Sequence, residues 1–151
     1  MLGGILFDVR GVIQLRRQDP DWYKFPEHVQ IPVGRGFRQL HVLQGSIHGE
    51  LDGAVIGSYR LHYADGQTMD LEMRYGRDLR DWRDSGPPKS LGERAAVAWI
   101  GPRWAGASGN EHVRLFRTTY TNPRPEVDVV HIDFVSRMTQ AAPFLVALTV
   151  E

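Results

Sequence analysis

Apolar side chains recur at every second position along most of the chain and rarely at the 3.6-residue spacing of a helix. Ile5, Phe7, Val9, Ile13 and Leu15 alternate with Asp8, Arg10 and Gln14. This predicts a half-buried first strand, with Gly11 as a bulge or point of close approach. Residues 16–28 carry Arg16, Arg17, Asp19, Pro20, Asp21 and Pro26 and read as a loop. Ile31 and Val33 flank Pro32, which cannot donate to a ladder, so this short strand belongs at a sheet edge. Phe37 to Leu43 form the next strand, and Gln44 to Gly53 read as a polar connection.

The strongest local signal follows. Val55 to Tyr63 is a strand with Tyr59, Leu61 and Tyr63 on one face and Ser58, Arg60 and His62 on the other. Ala64-Asp65-Gly66-Gln67 predicts a type I′ turn, and Thr68 to Tyr75 returns with Met69, Leu71 and Met73 alternating against Asp70, Glu72 and Arg74. Residues 76–94 form a long charged Gly/Pro loop. A strand over Ala95 to Ile100 and a loop over Gly101 to Asn110 come next. Val113 to Tyr120, Val127 to Phe134 and Phe144 to Val150 complete the strands, and Ser136 to Ala142 has room for one helical turn. Eight or nine short strands separated by turn signals predict an all-β protein, a sandwich or barrel.

Composition narrows the picture. The 151 residues suit one domain, and 42% hydrophobic positions suffice for one core. Lys+Arg and Asp+Glu are both 18, and this balance disfavours nucleic acid and acidic membrane surfaces as partners. With no cysteine there are no disulfides, thiolate metal sites or cysteine nucleophiles. No apolar run approaches the roughly 20 residues of a membrane-spanning helix. Sixteen arginines stand against Lys24 and Lys89. Arginine suits paired sites and polar ligands, but a GC-rich genome explains the bias as well. The short lead before Ile5 fits either a cytoplasmic protein or a domain excised from a longer chain. In the second case the location would be periplasmic or extracellular.

Few residues announce chemistry. The chain has no Walker loop, no GxGxxG and no GxSxG. The histidines form no HxH or HExxH pair. His62 and His131 could converge on strands, but the spacing does not require it, so a metal site stays open. Asp133, between Ile132 and Phe134, reads as a satisfied carboxylate or as a structural calcium ligand. Arg77, Arg80 and Arg83 and Asp78, Asp81 and Asp84 recur every three residues, which predicts a self-neutralising, salt-bridged loop. Trp82 and Trp104 lie in loops, where they offer stacking surfaces for sugar rings or cap the core. Trp99 lies in an apolar strand and reads as core.

Several segments are familiar as a set: Phe7 to Leu15, Ile31-Pro32-Val33-Gly34-Arg35, Leu40-His41-Val42-Leu43, Ile56-Gly57-Ser58-Tyr59, and His62-Tyr63-Ala64-Asp65-Gly66. To these add Tyr75-Gly76-Arg77-Asp78-Leu79-Arg80-Asp81-Trp82, Arg117 to Pro123, Ile132-Asp133-Phe134 and Ala142 to Thr149. Across nearly the whole chain they resemble the galactose-binding-like β-sandwich modules of bacterial multidomain proteins, found on glycoside hydrolases and membrane-anchored regulators. The resemblance implies an antiparallel jelly roll of about eight strands, non-catalytic, that contacts glycans through loops at one end. Some such modules carry a structural calcium.

The leading expectation is therefore a carbohydrate-binding or ligand-sensing accessory module over residues 1–151. Sugars would stack on Trp82 or Trp104, with Arg77, Asp78, Arg117 and Asn122 donating or accepting hydrogen bonds. The Asn122–Arg124 loop would serve the same end as the 76–94 loop. A domain that docks a neighbouring protein domain is the alternative, and a cupin- or lyase-like enzyme comes third.

Overall fold

The computed structural model describes residues 1–83, 86–87, 89–103 and 112–151. Among them run nine strands: β1 (Ile13–Gln14), β2 (His28–Arg35), β3 (Gln39–Ile47), β4 (Val55–Tyr63), β5 (Thr68–Arg74), β6 (Ala95–Pro102), β7 (His112–Thr121), β8 (Val129–Ser136) and β9 (Ala142–Val150). They form two antiparallel sheets. One has the order β1-β9-β3-β7-β6, the other β2-β8-β4-β5. The architecture is an all-β sandwich. No helix among the described residues is long and apolar enough to cross a membrane.

The core follows from the two-residue alternation. Leu40, Val42, Phe116 and Tyr120 from one sheet meet Tyr59, Leu61, Met73, Ile132 and Phe134 from the other in a single buried cluster. Tyr59 stacks on Phe134 at 5.0 Å and meets Tyr120 edge-on at 5.6 Å, so one ring ties both sheets together. Each such side chain contributes about 1.5–3 kcal/mol through burial.

The β4–β5 hairpin has the expected strands but a different turn. Only Gly66 has a positive φ, 87°. Its N–H bonds the Tyr63 carbonyl, and the Tyr63 N–H bonds the Gln67 carbonyl. This is the pattern of a three-residue hairpin loop rather than a type I′ turn. Asp65 keeps a negative φ and accepts a hydrogen bond from the Gln67 N–H at 3.1 Å. β2 lies at a sheet edge, as Pro32 requires.

Four other expectations change. Residues 5–15 are not one strand: only Ile13–Gln14 pairs, with β9. The preceding segment lies over the outer face of the five-stranded sheet, where Thr149 Oγ1 donates to the Leu6 carbonyl and Gly3 packs on the Arg117 side chain. Gln44 to Ile47 extends β3 because the polar Gln44 and Ser46 side chains find partners inside. No helical turn forms between Ser136 and Ala142. The chain bends there with Met138 at φ 55°, and Ser136 Oγ accepts from the Met138 N–H. Residues 16–28 hold a 3-10 turn, Pro20–Trp22, started by Pro20 and capped by the Asp19 side chain.

Candidate functional site

The segment that follows β5 crosses from one sheet to the other, and its burial is the first surprise. Asp78 and Leu79 are wholly buried and Arg80 nearly so, although the sequence reads as a long, charged, self-neutralising loop. The Trp82 N–H bonds the Ser46 carbonyl on β3 and the Arg114 N–H bonds the Trp82 carbonyl, which stitches the segment to the end of the five-stranded sheet. Among the described residues, no ion pair joins these alternating charges to one another. Arg80 makes a twin bond to Asp52 at 3.0 and 3.1 Å and also donates to the carbonyls of Gly76 and Ser90. That contact holds the Asp52 carboxyl below the usual carboxylate range. Gly76, at φ 82°, sits where a Cβ would come within 2.6 Å of the Asp52 carboxylate, so the turn admits only glycine.

Asp78 has a fixed set of partners. Arg94 grips both of its oxygens at 2.7 and 2.9 Å, and the Arg74 N–H donates to it at 2.8 Å. Its backbone carbonyl accepts from Thr118 Oγ1 at 2.6 Å. Thr118 accepts in turn from the Gln44 amide at 2.9 Å, and Gln44 accepts from the Tyr59 hydroxyl at 2.6 Å. Donors and acceptors run in one direction along this buried chain, so every member is satisfied. Burial pushes the Tyr59 and Tyr120 hydroxyls well above their ordinary pKa. The Arg94 guanidinium also lies 4.5 Å from the centre of the Tyr120 ring.

Above this floor opens a cleft of about 680 Å³, lined by Asp70, Leu71, Glu72, Arg74, Arg77, Asp78, Gly92, Glu93 and Arg94. Arg77 and Glu93 are exposed at its lip. The Gly92 N–H bonds the Arg77 carbonyl at 2.8 Å and fixes the two walls together. Arg94 and Glu93 carry no motif, so sequence reasoning had no signal to find them.

Of the residues expected to bind ligand, Arg77 and Asp78 meet in this cleft. Trp82 is half-buried and packs edge-on against Phe144 at 5.8 Å, outside the cleft lining. Trp104 lies outside the described residues. Trp99, expected in the core, is 40% exposed on β6. Arg117 is on the outer face of its sheet, donating to Thr119 Oγ1. Asn122 is buried at the opposite end. Strand register places Ser46, Arg114 and Val55 at one end of the sandwich, and Gln39, Thr121 and Tyr63 at the other. There Asn122 accepts from the Tyr63 hydroxyl at 2.6 Å and donates to the Phe37 carbonyl at 2.7 Å. Arg124 beside it pairs with Asp65. The 122–124 loop therefore does not share an end with the 76–94 loop, because β7 runs the length of the sheet between them.

A second polar group stands on the outer face of the four-stranded sheet. His62 on β4 is directly opposite His131 on β8, and Asp133 follows two residues later on the same face. His62 Nε2 lies 2.7 Å from Asp133 Oδ2. Two imidazoles beside this carboxylate are poor company for calcium, which prefers oxygen ligands. The cluster also faces outward, not into the sandwich as a cupin-like centre would.

Comparison with known proteins found no matching family, no matching curated protein and no matching solved structure.

Proposed function

We propose that the chain is a non-catalytic accessory module that binds a polar, hydroxyl-rich ligand, a glycan, in the cleft between β5 and the segment leading into β6. The observation that carries this reading is the cleft itself. Its floor is the buried Asp78 carboxylate, held by Arg94, while Arg77, Glu93 and Arg94 itself are exposed to solvent. Preorganised charged donors and acceptors suit hydroxyl and carboxylate groups without a large ordering cost on the protein side. Among the described residues no tryptophan lines the cleft, so the recognition proposed here rests on hydrogen bonds rather than ring stacking. On this reading the fold is a galactose-binding-like jelly roll. Its support is a five-stranded antiparallel sheet facing a four-stranded one, with connections that cross repeatedly between them.

Calorimetric titration with neutral and uronate-containing oligosaccharides tests the proposal. The expected result is saturable binding that weakens about tenfold in Arg77→Ala, the loss of one charge-assisted hydrogen bond. Saturable binding that is unchanged in Arg77→Ala and Glu93→Ala would remove the cleft from the reading, and silence across the panel would remove the glycan.

Docking of a neighbouring domain is the second reading, and one observation favours it. Leu6, Val9 and Val12 are exposed along the N-terminal segment. They run beside an apolar groove lined by Val12, Ile13, Ile31 and Leu145 to Leu148. A surface of this kind suits a protein partner.

A further inference from the structure

We propose that His62, His131 and Asp133 form a binding site for a divalent first-row transition cation, zinc above all, on the outer face of the four-stranded sheet. The site is independent of the cleft. Strand pairing builds it: β4 and β8 are neighbours, and their register sets His62 against His131 and Arg60 against Asp133. Alternation turns Leu61 and Ile132 into the core and leaves the two imidazoles side by side outside. Their ring centroids are 4.1 Å apart, with 26° between the planes. One donor atom from each of the three residues fits within a 4.8 Å cluster. A tetrahedral centre with bonds of about 2.0–2.1 Å holds its ligand atoms roughly 3.4 Å apart, so modest side-chain rotations close the set.

The chemistry of the three groups selects the cation. Two imidazole nitrogens and one carboxylate suit zinc and its neighbours, not calcium or magnesium. His131 makes no hydrogen bond to the described residues; its nearest carboxylate oxygen, on Asp133, is 3.9 Å away. Arg60 would compete for Asp133, but Asp70 holds it with two bonds of 2.7 and 3.2 Å. That pairing holds Asp70 below the usual carboxylate range and leaves Asp133 to the imidazoles. The side chains of His62, His131 and Asp133 are 29%, 22% and 20% exposed. They are therefore mostly buried yet reached by water, which would complete the coordination as in sites with three protein ligands.

The test uses the whole chain, first stripped with a chelator and then titrated with zinc chloride by calorimetry near neutral pH, with cobalt(II) absorption as a geometric readout. We expect one zinc per chain, a tetrahedral cobalt spectrum, and no saturable response to calcium. His131→Ala and Asp133→Asn, each verified as folded by circular dichroism, should weaken zinc at least tenfold, the effect seen when metal ligands or their supports are lost. His28→Ala, a histidine outside the cluster, should leave it unchanged. Absence of stoichiometric zinc binding overturns the proposal. So does binding that survives both His131→Ala and Asp133→Asn, because the metal would then be held elsewhere. Should His131→Ala fail to fold, Asp133→Asn and His62→Gln decide the matter by the same criterion.

Discussion

Asp78, in the segment between β5 and β6, is wholly buried, with Arg94 on both oxygens and the Arg74 backbone N–H on one of them. Asp133 stands on the outer face of the four-stranded sheet, shared by two imidazoles and open to water. Both carboxylates are charged groups placed by β-structure, yet the first has both oxygens held by three donors of the fold and the second does not. A buried charge must be paired and hydrogen-bonded to be tolerated, so Asp78 is committed to holding the sheets and the crossing segment together. A half-exposed carboxylate beside imidazoles keeps capacity for an added cation. The interior chain from Tyr59 to Asp78 therefore carries stability, and the outer cluster carries ligand chemistry.

Four outcomes would break or sharpen this division. Arg94→Met leaves Asp78 buried without its charged partner and should destabilise the protein by about 3 kcal/mol, read from urea unfolding. A loss below about 0.5 kcal/mol would mean that Asp78 is not committed. High pH should act next. Tyr59 and Tyr120 have raised pKa values in the fold, so their stabilisation is complete below the ordinary tyrosine pKa near 10.0 and is lost as pH climbs above it. The unfolded chain releases these protons first, and stability should fall by up to about 1.4 kcal/mol per pH unit for each tyrosine. Ultraviolet titration should show both rings staying protonated until the protein unfolds. Thr118→Val removes the link between Gln44 and the Asp78 carbonyl and should cost about 1–3 kcal/mol, visible as a lower thermal midpoint. The smallest effect belongs to the outer cluster: metal-free Asp133→Asn should lose no more than about 1 kcal/mol in the same unfolding experiment.

What the sequence disclosed follows the same division. The strands of the β4–β5 hairpin are legible because alternation is a local signal, and Asp65-Gly66 marks where the chain turns but not the turn type. The first strand was misread because Ile5, Phe7 and Val9 alternate like a strand, while their segment lies across a sheet face instead of pairing along an edge. Gln44 and Ser46 read as a connection because polarity signals exposure unless a partner exists; Gln44 finds Thr118 and Tyr59 far along the chain, and the Ser46 hydroxyl donates to the His48 carbonyl. Asp78 reads as paired within its own charge repeat, but its partner Arg94 is 16 residues away. His62 and Asp133 are separated by 71 residues, and only the register between β4 and β8 brings them together. Period-two patterning shows which face a residue takes but not which strand lies beside it.

The most direct test of the division between the two carboxylates is an amide ¹H–¹⁵N spectrum recorded as zinc is added to the metal-free protein. The account predicts shifts at His62, His131, Asp133 and their neighbours on β4 and β8, with Asp78, Leu79 and Thr118 unmoved. Shifts centred on the Asp78 segment, or a spectrum that zinc leaves unchanged throughout, would contradict it.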